Sequence, residues 1–142
     1  MHVADAKRLT SEGARHILSV ATTRAKEAGI PVTIAIVDAG GHLVLLERME
    51  GGRFHTVHSA TTKALCAASN RCGTGSKGAV GQSLDVAHAI GLALAAGPER
   101  WTAMEGGWPI MAGEQCIGAV GVAGGNWEFD EKLAREAAES IK

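Results

Sequence analysis

The sequence has no tyrosine and only five aromatic side chains, Phe54, Phe129, Trp101, Trp108 and Trp127, so phenol chemistry is excluded. Its three cysteines, Cys66, Cys72 and Cys116, form no CxxC pair. That odd count fits a reducing compartment better than a disulfide framework or a cysteine-rich zinc site. No apolar run approaches the roughly 18 residues a bilayer crossing needs, and Met1-His2-Val3-Ala4-Asp5 lacks the basic start and apolar stretch of a signal peptide. A soluble, cytoplasmic chain without a membrane partner is expected. Lys+Arg 14 against Asp+Glu 15 gives a net charge of −1, which leaves no strongly basic field of the kind a nucleic-acid partner requires. Nucleotide-phosphate loops of the GxxxxGK[ST] type, GxGxxG in a βαβ setting and the GxSxG of serine hydrolases are all missing, and those activities lose their support.

What is present is an ordinary globular balance, 46% hydrophobic and 20% charged over 142 residues, which argues for one folded domain with a sizeable core. Glycine is in excess, with 19 copies, nearly twice the usual frequency. In a chain with few prolines, this points to tight turns and close backbone approach, to packed helices or to a ligand.

Residues 4–28 hold no proline and stop at Gly29-Ile30-Pro31, which predicts one long helix with Leu9, Gly13, His16 and Val20 on one face. The β-branched run 32–37 and the run 43–46 read as an antiparallel hairpin around Asp38-Ala39-Gly40-Gly41-His42, where Asp38 is expected to bond the turn's own amides. A helix follows over 54–69, then a loop over 70–78. Ser83 is placed to cap a further helix ending near residue 96, apolar nearly all round through Leu84, Val86, Ile90, Leu92 and Leu94, and therefore predicted to be buried. Residues 108–111 and 115–122 read as a second hairpin whose last strand is apolar on both faces, so both faces should be covered. Leu133, Ala134, Ala137, Ala138 and Ile141 mark a final helix. Helices packed on an antiparallel sheet are the simplest architecture, and a doubly wound fold is disfavoured.

Several residues can carry chemistry. His16 lies in the apolar stripe of the first helix, as a metal ligand or as a satisfied half-buried histidine. His55 and His58 are one turn apart, facing one ligand or forming a surface pair. Asp85 and His88 share a helix face, as an oriented imidazole or an internal cap. Glu105-Gly106-Gly107-Trp108 suits a lip over a pocket, or core filling by the ring. Gly124-Gly125-Asn126 precedes a helix as an anion site would, but Glu128, Asp130 and Glu131 already satisfy that dipole, so an acid-capped helix start is expected. Cys72, beside Arg71, is the better candidate thiolate, and Cys66 a core residue.

The blocks Pro31 to Val44, Glu47-Arg48-Met49-Glu50-Gly51, Gly106-Gly107-Trp108-Pro109-Ile110 and Ile117 to Gly125 with Asp130-Glu131 resemble, in order and over essentially the whole chain, residues 1–142, the GlcG/HbpS family, which includes the C-terminal domain of PduO-type proteins. The resemblance implies a single α+β, profilin-like domain, an antiparallel sheet flanked by helices, that assembles into homodimers, tetramers or octamers. It also implies a small-ligand binding protein of the haem type, with His16, or else His55 or His58, on the iron, and Lys63 or Arg71 meeting the propionates. Lys63 falls on the family's basic position in Ala60-Thr61-Thr62-Lys63-Ala64. The alternative is a cofactor-independent lyase, isomerase or hydrolase for a small acidic or aromatic metabolite. There Lys63 would hold a carboxylate, Glu105 or His58 would serve as acid or base, and Gly-rich amides would stabilise an oxyanion. Trp108 and the Asn126-Trp127-Glu128-Phe129 stretch depart from the family pattern. The rings and the glycines together are expected to enclose a cavity beside the sheet, bordered by Trp108, Gly124 and Lys63, with Gly107 and Gly125 also among the expected ligand-binding residues.

Overall fold

The computed structural model describes residues 1–141. Helix α1 (Ser11–Ala28) begins where the Thr10 side chain accepts a bond from the Gly13 amide and ends at Gly29, left-handed at φ 70. It starts later than the apolar pattern suggested: the preceding residues are not helical, and the Lys7 amide donates to Gln115 Oε1 at 2.8 Å. Strands β1 (Thr33–Asp38) and β2 (Leu43–Arg48) form the first hairpin. Asp38 Oδ1 accepts the Gly40 and His42 amides, as expected of a turn-bonding carboxylate. After α2 (Thr56–Asn70) comes α3 (Val86–Ala96), then β3 (Gly107–Ala112), β4 (Gln115–Ala123) and α4 (Trp127–Ala138). The sheet is antiparallel throughout, in the order β2-β1-β4-β3.

Period-two alternation in β1 explains the layering. Ile34 and Ile36 face one way, joining Val120, Val122 and Ile110 beneath Ile17 and Ala21 of α1 and Leu133, Ala134 and Ala137 of α4. Ala35 and Val37 face the other way, joining Ala119 and Ala123 beneath Ala60, Ala64 and Ala67 of α2. Both faces of β4 are thus covered, as its continuous apolar run requires. The second face is made of small residues because α2 lies almost directly on the strand: a Cβ at Gly121 would run into the Ala60 carbonyl and lie 2.7 Å from the Ala64 amide nitrogen.

Helix α3 corrects the expectation of burial. Its cap is Asp85, not Ser83, and it has no buried residue; among the described residues no other helix or strand packs against it. Val86 is 75% exposed, Ile90 54% and Leu94 72%. The apolar pattern was legible, but one face of the sheet is occupied by α1 and α4 and the other by α2, so the chain has no third face to offer. Asp85 and His88 form the internal cap, the His88 amide and ring both meeting Asp85 Oδ1 on the surface.

Substituting Gly121→Ala should destabilise the fold by about 1–3 kcal/mol through overpacking of α2. Urea unfolding measures this, and an unchanged midpoint would show that α2 does not sit as described.

Candidate functional site

Two concave sites flank opposite ends of β4. The first is a cleft of about 570 Å³ between α2, α3 and the β4–α4 turn. Its floor is Lys63, its walls include Trp101, Met104, Ile90 and Trp127, and Arg53, His55 and His58 line it as well. Lys63 belongs to the stripe Ala60, Lys63, Ala64, Ala67, which faces the sheet, and is 6% exposed. Its Nζ donates to the Val122 carbonyl at 2.9 Å and meets Asp130 Oδ2 at 3.3 Å. Asp130 lies likewise on the inward face of α4 with Leu133, Ala134 and Ala137, is 3% exposed, and accepts the Gly125 amide on its other oxygen at 2.9 Å. Burial is the largest influence on both groups. It draws the Lys63 amine below its ordinary 10.5, partly offset by Asp130 and Glu105, and pushes the Asp130 carboxyl above 3.8 against the pull of Lys63 and the Gly125 and Gly124 amides.

The second site is a groove of about 690 Å³ on the α1 face, beside the β3–β4 turn. His16 lines it with Lys7, Arg8, Met111, Ile117 and Ile141. Here His16 is exposed rather than half-buried. Gly13, one turn earlier, puts no side chain beside it.

The expected cavity is therefore divided. Lys63, Gly124, Gly125, His55 and His58 share the cleft. Trp108 does not border it: its ring packs on Gly73, whose added Cβ would come within 2.7 Å of Cε3, and the Arg135 guanidinium lies 5.8 Å from its centroid. Trp108 and Glu105 instead line a separate pocket along the 72–81 loop. Gly107 is buried beneath α2, donating its amide to Thr74 Oγ1 at 2.9 Å. Arg71 sits past the end of α2, near Glu114 and Cys116. Within one chain, His16 thus meets neither Lys63 nor Arg71. Cys72 is no thiolate candidate, since burial pushes its thiol up and Arg71 brings nothing to offset it.

The helix start at Gly124-Gly125-Asn126 is satisfied internally, as expected, with Asn126 capping the Phe129 amide. Those glycine amides are engaged by Asp130 rather than open to an oxyanion. Asp130 itself was missed, although its place on the apolar stripe of α4 was the available signal. No cluster of three metal-ligating side chains occurs among the described residues.

Residues 9–139 match the family described as Haem degrading protein HbpS-like. The chain belongs to this family. An uncharacterized 15.0 kDa protein of Citrobacter freundii, from the dhaT-dhaS intergenic region, is 33% identical over 134 residues, 92% of this chain and 90% of that protein. Among solved structures, Klebsiella pneumoniae ORFY is 29% identical with a TM-score of 0.82, covering 100% of this chain and 99% of its own. A double Glu-to-Asp mutant of Streptomyces reticuli HbpS is 26% identical with a TM-score of 0.81, over 99% of this chain and 91% of its own. The HbpS-like family thereby accounts for the α+β fold, whose architecture the structure shows strand by strand. No helix among the described residues is long and apolar enough to cross a membrane.

Asp130→Asn should strand a buried ammonium at a cost of about 3–5 kcal/mol near neutral pH. Without its partner, Lys63 in the folded variant loses its proton below the 10.5 at which the unfolded chain does, so stability recovers as pH rises between those values. Chemical unfolding at about pH 6 and about pH 9 reads this out; an equal loss at both would show that Lys63 carries no buried charge.

Proposed function

We propose that the chain is a haem-binding protein that takes the tetrapyrrole in the α1 groove, with His16 as the iron ligand. The observation that carries this reading is an exposed imidazole set in an apolar-walled groove with two cations, Lys7 and Arg8, on its border. The donor set suits the group. One imidazole suffices for an axial bond, Met111, Ile117 and Ile141 offer apolar surface to a macrocycle, and the two cations suit propionates. The groove volume falls within the roughly 300–1,000 Å³ of small-molecule sites. When bound, haem supplies an iron centre whose reactivity follows from its axial ligand and surroundings. His55 and His58, in the cleft, are the second choice of ligand. Lys63 and Arg71, at a distance from the groove, are replaced as propionate partners by Lys7 and Arg8.

The same reading includes self-association. Apart from the Asp85–His88 cap at its first turn, helix α3 is apolar and carries no Lys, Arg, Asp or Glu, so it suits an equally apolar surface. A second copy's α3 supplies that surface, and a two-fold pairing buries both.

Haemin titration should give a saturable Soret shift that His16→Ala weakens more than the about 10–100-fold typical of losing a group that merely orients a ligand. An unchanged titration in His16→Ala would remove the assignment. Sedimentation should show an oligomer that Leu94→Glu dissociates, and a parent that is monomeric throughout would count against pairing through α3.

A further inference from the structure

We propose that Lys63 is a nucleophilic amine that captures the carbonyl group of small 2-oxo acids as a protonated Schiff base at the floor of the α2–α3 cleft. This goes beyond the haem reading and uses a different site.

The pairing with Asp130 is what distinguishes Lys63 from the lysines on the surface. An ammonium has three N–H donors, and the Val122 carbonyl and Asp130 Oδ2 take two of them. Because burial moves the amine and the carboxyl toward each other, and the two groups are in contact, transfer of the proton from Nζ to Asp130 is less uphill than between the same two groups in water. The result is an uncharged amine beside a carboxylic acid, which is a nucleophile and an acid in contact, inside a cleft large enough for a few-carbon substrate.

The chemistry closes without a further reagent. The Nζ lone pair forms a bond to the carbonyl carbon while the C=O π pair moves to oxygen, which takes the proton held by Asp130. Nζ then returns one proton to the carboxylate, leaving a neutral carbinolamine. Asp130 protonates its hydroxyl, water departs, and the nitrogen lone pair forms the C=N bond. One ammonium and one carbonyl have become one iminium and one water. The iminium carries the same charge as the ammonium it replaces, so the buried carboxylate of Asp130 keeps a cationic partner through the whole sequence. A neutral adduct would strand that carboxylate, which favours the protonated Schiff base.

Arg53 sets the substrate class. It is exposed, lines the same cleft, and its Nη2 donates to the Gly124 carbonyl at 3.2 Å, one residue from the Gly125 amide that binds Asp130. A guanidinium there offers a forked partner for a carboxylate on the molecule whose carbonyl reaches Lys63.

The test is reductive trapping on the metal-free chain. Pyruvate and borohydride are added near neutral pH, and the adduct is counted by intact mass and located by peptide mapping. The proposal expects one adduct per chain, on Lys63 in preference to Lys7, Lys26, Lys77 and Lys132. Arg53→Ala, at an exposed position that leaves the fold in place, should trap pyruvate about tenfold more slowly, the worth of one charge-assisted contact. Lys63→Arg should give no adduct. Absence of an adduct in the parent, or labelling spread evenly over the surface lysines, overturns the proposal whether or not the variants fold. No haem takes part, so a failed haemin titration leaves this inference standing, and failed trapping leaves the haem assignment standing.

Discussion

Lys63 and Asp130 come from helices on opposite faces of the sheet, and their contact closes the end of the molecule where β3 begins and β4 finishes. Two groups of opposite charge are there removed from water together, which is tolerable only because each also has a fixed hydrogen-bond partner, the Val122 carbonyl for the ammonium and the Gly125 amide for the carboxylate. The backbone around them is fitted to that pair. Gly106, at φ 122, donates no side chain to a space where a Cβ would lie 2.9 Å from Nζ, and its carbonyl accepts the Val122 amide at 2.8 Å. A side chain at Gly107 would run into the Lys63 backbone carbonyl and push α2 off the sheet, and one at Gly106 would press on the Val122 carbonyl and displace the Lys63 amine.

From this constraint the rest of the architecture follows. Holding α2 close to β4 demands alanine and glycine at their interface, which is why that half of the core is thin and the half under α1 and α4 carries the isoleucines and the two buried leucines, Leu9 and Leu133. It also leaves the 71–106 excursion outside the layered core, attached to α2 by the Thr62 hydroxyl on the Glu99 carbonyl and the Cys66 thiol on that of Thr102. Helix α3 stands on this excursion and walls the cleft over Lys63. The second groove arises at the other end of β4, where the N-terminal segment is tied to Gln115. The groove at His16 and the cleft at Lys63 thus lie at two ends of one strand, and the two proposals made for them are independent.

Much of the fold was legible in the sequence because it is written in local patterns: the two glycine-containing turns, the stop at Gly29, the alternation in β1 and the continuous apolar run of β4. The site was less so. Lys63 stands out as a cation among alanines at helical spacing, and Asp130 stands out in the same way on α4, but a charged residue in an acidic first turn has a sufficient local explanation in the helix dipole. Only the sheet between them reveals that each is the other's partner. Trp108 misled for a related reason: its neighbours in sequence are glycines suited to a pocket, whereas its neighbours in space are Gly73 and Arg135, which hold the ring in place. The apolar pattern of α3 led to an expectation of burial that the structure overturns, because a local pattern does not state whether the fold has a face left to cover the helix.

The central claim, that a coupled buried pair joins the two helical layers, is tested most directly by a double-mutant cycle of Lys63→Met and Asp130→Leu in urea. Strong coupling predicts that each single change is costly while the double variant recovers much of the loss, with an interaction energy toward the upper end of the about 0.5–3 kcal/mol seen for residues in contact. Additive losses, with the double variant as unstable as the two singles combined, would contradict it.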